Sequence, residues 1–225
     1  MPSLKSHRRK QIMSSRKGNR HGSLWLVYSP KSNEDLTITS DRELLYWISE
    51  LEINHNVRRF KFDAEVEVCL DESDPDKFES VSFTLVECVD GTTELHVIDA
   101  RENLDTDLKS LSVRFRSENH VTHKAKIVRV PLARLKLFSP QLGFWLRILA
   151  FASQVREYKL DVEADLVNLA VSTDGEGTIS TLLSTIQIQD PALAVGAICR
   201  LILSGGILVE AGGNSFGHNT SWRSS

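Results

Sequence analysis

A chain of 225 residues, 41% hydrophobic and 25% charged, has the length for one large domain or two small ones and an ordinary globular composition. It has no apolar run near the roughly 20 residues that cross a bilayer and no apolar stretch behind its N-terminal charges, so the expectation is a cytoplasmic protein with neither membrane span nor secretory signal. The net charge of −3 is the sum of an arm of +7 over residues 1–22 and a body of −10.

The arm carries Lys5, Arg8, Arg9, Lys10, Arg16, Lys17 and Arg20 and no acid. Such a segment binds DNA phosphates by releasing counterions, without reading sequence; the alternative is a solvated tail with no partner. Order is expected from the apolar run at Ser23–Tyr28, followed by a polar loop over 29–39. Ser40-Asp41-Arg42-Glu43 has the Ser-x-x-Glu form of a capping box, and Leu44, Ile48 and Leu51 follow at helical spacing, so a helix is expected over 41–52. From Val57 to Leu70 apolar and polar residues alternate, with Phe60, Phe62, Ala64, Val66 and Val68 on one face of a strand. An acidic turn at 71–79 leads to a hairpin, Val81–Val86 and Ile98–Arg101, turning at Asp90-Gly91. Helical spacing is read from Leu104 to Phe115 and a strand from Lys124 to Val130, closing a mixed α/β domain near Pro131.

The second half is different in character. Leu142–Tyr158 reads as a strongly apolar helix, and Asp161–Ser172, Thr178–Ile186 and Pro191–Leu203 as three more, separated by turn and cap signals. Ser204-Gly205-Gly206 stops the last, and Ile207–Glu210, a Gly- and Asn-rich loop over 211–219 and Thr220–Trp222 suggest a small ribbon. Three helices and a ribbon describe a winged helix-turn-helix with Pro191–Leu203 in the recognition position. That helix holds one charged residue, Arg200, and no Asn, Gln or Lys for base edges, which favours protein docking over sequence reading. The chain has no internal repeat. Its three cysteines, Cys69, Cys88 and Cys199, are widely spaced and expected as free thiols.

The hairpin carries the chemistry. Hydrolytic nucleases hold divalent ions with carboxylates and often use a lysine beside them. With Asp90 and Gly91 as the two central turn residues, paired numbers sum to 181, which sets Ser82 opposite Asp99 with Cβ atoms about 5 Å apart. Thr84, Val86, Cys88, Val97 and Arg101 then share their face, and Glu87, Glu94 and His96 take the other. Serine is a weak neutral ligand, and arginine stabilises charge but does not act as a base. Taken singly, Glu43 is accounted for by the cap, Asp90 by the turn, and Asp99 with Arg101 by a strand-end ion pair. Asp74, Asp76 or Glu79 offers a displaced ligand.

Glu43 on the first helix, Val81-Ser82-Phe83-Thr84-Leu85-Val86, and Ile98-Asp99-Ala100-Arg101 resemble the PD-(D/E)XK nuclease pattern, with Ser82 in the place of the aspartate and Arg101 in that of the lysine. Together with Ser29-Pro30, Val57-Arg58-Arg59-Phe60 and the C-terminal winged helix, the order is similar to the TnsA-type endonuclease subunit of heteromeric transposases, over about Tyr28 to Trp222. The resemblance implies an α/β fold, a restriction-endonuclease-like mixed sheet flanked by helices followed by a mostly α winged helix-turn-helix domain. The divisions are an arm (1–22), a nuclease-like domain (23–131), a connecting helix (132–159) and a winged-helix-like domain (160–225). It implies catalytic positions at Glu43, Ser82, Asp99 and Arg101, with Mg²⁺ on Glu43 and Asp99 if the site is active, and as partners DNA and transposase or other mobile-element proteins through the winged helix. The expected function is a DNA-associated, partner-binding transposition protein with an impaired or lost endonuclease site. The alternatives are an active Mg²⁺-dependent endonuclease cutting transposon 5′ ends and a winged-helix adaptor or regulator.

Overall fold

The computed structural model describes residues 24–69, 78–99, 109–114, 122–211 and 215–225. The chain is mixed α/β and divides into two compact units, Met1–Ile48 with Phe138–Ser225, and Ser49–Leu137. These units interleave along the chain, whereas the sequence reading runs its segments consecutively. No helix among the described residues is long and apolar enough to cross a membrane.

The first unit opens on strand β1 (Trp25–Ser29), paired antiparallel with β2 (Glu34–Ile38). Much of the expected loop over 29–39 is therefore strand, because Leu36 and Ile38 alternate with polar residues and pairing with β1 buries Ile38. Asn33 makes the turn at φ 53°, where an asparagine is tolerated, and the Tyr28 hydroxyl donates to its Oδ1 at 2.6 Å. Ser40 caps helix α1 (Asp41–Tyr46), and the chain continues as a π-helical turn, Trp47–Glu52. The expected helix over 41–52 is thus present, with its second half widened.

The second unit is built on five strands, β3 (Val57–Cys69), β4 (Phe78–Cys88), β5 (Thr93–Asp99), β6 (Lys109–Arg114) and β7 (Thr122–Pro131). They close a barrel in the order β3-β4-β5-β7-β6. The β5–β7 pairing is parallel and the other four are antiparallel. Ala64, Val66, Val68, Phe83, Leu95, Val113 and Ala125 fill the interior, and each fully buried valine, leucine or phenylalanine contributes about 1.5–3 kcal/mol.

Two expectations change here. Strand β3 does not carry one apolar face. Lys61 pairs with Leu85 but Ala64 with Phe83, so Phe62 and Asp63 together oppose Thr84, and Asp63 sits at φ 50°. This bulge exchanges the faces. Ala64, Val66 and Val68 enter the core, while Phe60, paired with Val86 and edge-on to Phe62 at 5.6 Å, packs on the outer face. The helix read over 104–115 is also corrected in its described part, since Lys109–Arg114 is a strand between β3 and β7. Ser110-Leu111-Ser112-Val113 fits a period of two as well as a helical one, and burial of Val113 in the barrel decides between them.

The chain then forms α2 (Leu132–Phe138) at the junction and, back in the first unit, α3 (Leu142–Gln154) and α4 (Asp161–Asp174). Next come β8 (Glu176–Thr178), α5 (Ile179–Thr185), α6 (Pro191–Ser204), β9 (Ile207–Val209) and β10 (Ser221–Ser224). Local signals set these boundaries. Thr178 and Thr181 form a capping box on α5; Asp190 Oδ1 accepts from Ala192 N at 2.8 Å with Pro191 opening α6; Gly205, at φ 85°, ends it. Strands β8, β10 and β9 form an antiparallel sheet in that order, and the buried Trp222 donates its indole N–H to Thr178 O at 2.9 Å.

Helix α6 is a core element of the first unit, with Ala194, Gly196, Ala197, Ile198, Cys199, Ile202 and Leu203 buried. A Cβ on Gly196 would collide with the Val155 side chain. Gly196→Ala is therefore expected to cost about 1–3 kcal/mol through overpacking, more than the helix propensity it gains. Urea denaturation checks this: Val155→Ala in the same chain recovers part of the loss, and an unchanged midpoint for Gly196→Ala contradicts the packing.

Candidate functional site

The hairpin turn differs from the expected two-residue type. Cys88 N donates to Thr92 O at 2.9 Å and Gly91 N to Cys88 O at 3.1 Å, with Gly91 at φ 83°. These are the marks of a three-residue loop, a type I turn closed by a glycine bulge. Asp90 fixes it, its Oδ1 accepting from Thr92 N at 2.9 Å and from the Thr92 hydroxyl at 2.7 Å. The hydroxyl bond, ahead of the backbone bond, holds the Asp90 carboxyl below the usual carboxylate range.

One extra loop residue changes the register. Thr84 pairs with His96, Leu85 with Leu95, Val86 with Glu94 and Glu87 with Thr93, so paired numbers sum to 180. The expected sum of 181 is corrected, and with it the shared face. Ser82 is exposed, paired with Glu65 on the outer side of β4, in phase with Thr84 and His96. Asp99, the last residue of β5, is in phase with Leu95, which points into the core. Ser82 and Asp99 therefore lie on opposite faces of the sheet.

The other expected positions are separately engaged. Glu43 Oε2 accepts from Thr39 N at 2.9 Å and from the Thr39 hydroxyl at 2.8 Å, while Ser40 Oγ accepts from Glu43 N at 3.2 Å. This carboxylate serves the cap of α1 in the first unit. Asp99, in the second, has Arg129 Nη1 at 3.7 Å from Oδ2. Glu79 is exposed on β4. Arg101, Asp74, Asp76 and the arm residues Arg8, Arg9, Lys10, Arg16, Lys17 and Arg20 lie outside the described residues. Among the described residues, no group of three or more His, Cys, Asp or Glu side chains converges as a metal site would require.

The polar groups that do meet were not singled out from the sequence. Buried His96 has its Nε2 at 2.9 Å from Glu94 Oε2, and Lys126 Nζ donates to Glu94 Oε1 at 3.2 Å. The Glu-x-His spacing on one strand and the parallel pairing of Glu94 with Lys126 bring them together. The hydrogen bond to His96, helped by Lys126, holds the Glu94 carboxyl below the usual range against the opposing effect of burial. Glu94 and Lys126 line a groove of about 1060 Å³ at the hairpin tip, with Arg59, Glu87 and Lys124. Arg59 Nε meets Glu87 Oε2 at 2.6 Å, so cations and carboxylates alternate along the wall without forming a basic phosphate track. Buried Glu50 meets Nη2 of the exposed Arg134 at 2.9 Å, which ties the π-helical turn to α2 within the second unit.

Cys69 and Cys199 are buried thiols and Cys88 is half-buried, none of them in a disulfide, and burial pushes the Cys88 and Cys199 thiols upward. Their environment is that of packing residues and not nucleophiles. Comparison with protein-family models and with curated proteins gives no match.

Because the folded-state pKa of Glu94 is depressed, its stabilisation is present above the unfolded value near about 4.3 and lost as pH falls through the lower folded value. Glu94→Gln is expected to cost about 1.5 kcal/mol at neutral pH. Urea midpoints taken from pH 7 downward are expected to converge with wild type below the carboxylate range. A difference that stays constant with pH contradicts this role.

Proposed function

We propose that this chain is a DNA-associated, partner-binding protein of the TnsA-like transposition type whose own metal-dependent cleavage is impaired or lost. The observation that carries the loss of cleavage is the hairpin register, which leaves Ser82 on the outer face of the barrel sheet and Asp99 on the other face. Two carboxylates have to meet on one ion, with a lysine near the attacking water or the phosphate, for this chemistry. Here Glu43 holds a helix cap, Asp99 has an arginine beside it, and the Ser82 position faces away. The described residues do not fit an Mg²⁺ site of that pattern, and no step is derived through one.

The restriction-endonuclease-like reading of the second unit is supported by the antiparallel run β3-β4-β5 followed by β7 parallel to β5; its departures are the strand β6 within the connection where a helix is expected and the closure of the sheet by that strand. A winged-helix reading of the C-terminal segment is supported by the order α4, β8, α5, α6, β9, β10 and its three-stranded sheet. The helix in the recognition position offers no basic face to DNA and packs within its own unit. Its only charged residue, Arg200, donates to Val155 O at 2.6 Å and Tyr158 O at 3.2 Å, and the helix is largely buried. A nucleic-acid-binding adaptor without nuclease ancestry is a second reading, favoured by barrel closure, which small oligonucleotide-binding barrels share.

Purified protein incubated with supercoiled and linear DNA and Mg²⁺ or Mn²⁺ is expected to cut no faster than its Asp99→Ala variant. Cleavage that this variant abolishes overturns the reading. Ser82→Asp with Arg101→Lys is not expected to restore cutting, because the new carboxylate joins Glu65 on the outer face. Deleting residues 1–22 is expected to weaken DNA binding and flatten its dependence on salt by several units of the log–log slope. An unchanged slope removes the arm from DNA contact.

A further inference from the structure

Helix α4 presents two apolar faces. Val167, Ala170 and Val171 are buried, but Val162, Leu166 and Leu169 are 69%, 39% and 66% exposed. At about 100° per residue these three fall within a stripe roughly 60° wide, at the i, i+4, i+7 spacing with which one helix packs along another. Single exposed leucines are common on protein surfaces, but a continuous row on one helix marks a contact face. The charge beside it is one-sided. Asp161 and Asp165 are exposed along one flank of the row, Glu163 and Asp174 lie on the side of the buried residues, and the helix contains no basic residue.

We propose that this face of α4 docks a helix of a partner protein whose own apolar row is flanked by lysine or arginine. The proposal rests on the partner-binding part of the function given above and is independent of whether the hairpin cuts DNA. Apolar contact supplies the attraction, and the acidic flank selects the sign of the partner and its orientation. A second copy of the chain fits less well, since it would set two rows, each flanked by Asp161 and Asp165 on a helix with no base, against one another. The basic arm has the right charge but the wrong pattern. Leu4, Ile12 and Met13 would fall on three different sides of a helix.

The test uses the full chain and two synthetic helical peptides with the same leucine heptads, one with lysines and one with glutamates at the flanking positions, below the concentration at which either self-associates. Fluorescence anisotropy is expected to show the lysine peptide binding at least tenfold tighter than the glutamate peptide. Leu166→Glu with Leu169→Glu is expected to abolish binding, and Asp161→Lys with Asp165→Lys to reverse the preference. Circular dichroism establishes that these surface variants fold. Equal affinity for both peptides, or binding that survives the leucine substitutions, overturns the proposal. So does a wild-type dimer in sedimentation that the leucine substitutions dissociate, which assigns the face to a second copy, or full binding that appears only after residues 1–22 are deleted, which assigns it to the arm. A negative result here leaves the cleavage and salt-slope measurements standing, so the two failures are separable.

Discussion

Between Cys88 and Thr92 the chain reverses in three residues, held by the Asp90 carboxylate on Thr92 and by Gly91 in a left-handed conformation. That loop length sets the pairing of β4 with β5, and the pairing sets which side chains of both strands enter the barrel. Leu85 and Leu95 meet in the core because the sum of paired numbers is 180. A two-residue turn would have set Leu85 against His96. The parallel strand β7 takes its phase from β5, so Ile127 and Ala125 line up with Leu95 on the inside. On the β3 side the same inner face is reached through the bulge at Asp63, which brings Ala64 opposite Phe83.

The functional reading follows from the same constraint. Shifting the hairpin by one residue takes Asp99 away from Ser82 and brings Glu94 and His96 onto the Ser82 side, where His96 is buried against Glu94. The expected facing of Ser82 and Asp99 is replaced by the contact of Glu94 with His96, with Lys126 beside it. In the C-terminal segment, the helix in the recognition position, expected to favour protein docking over sequence reading, is a packing helix whose one cation donates to Val155 O at the end of α3. What this segment leaves open to a partner is the outer row of α4.

The helices were legible because their signals are local. Ser40 before Glu43, Thr178 before Thr181, Asp190 before Pro191 and Gly205 after α6 each act within one turn of the chain, and each helix begins or ends there. The barrel was less legible because its signals are not local. Asp90-Gly91 is compatible with two loop lengths, and the strands that pair beyond it make the choice. The alternation from Phe60 to Val68 hides a bulge because Phe62 and Asp63 keep the letter pattern while the backbone changes phase. Strand β6 imitates helical spacing until the barrel buries Val113. Strand β2 is short and polar, and only its pairing with β1 makes it a strand.

Cross-strand nuclear Overhauser contacts across the hairpin test the account most directly, since they read the register itself. Contacts between Leu85 and Leu95 and between Thr84 and His96 are predicted, with none joining Ser82 to Asp99. Contacts placing Leu85 against His96 and Ser82 against Asp99 would contradict the account and return the hairpin to a geometry able to share an ion.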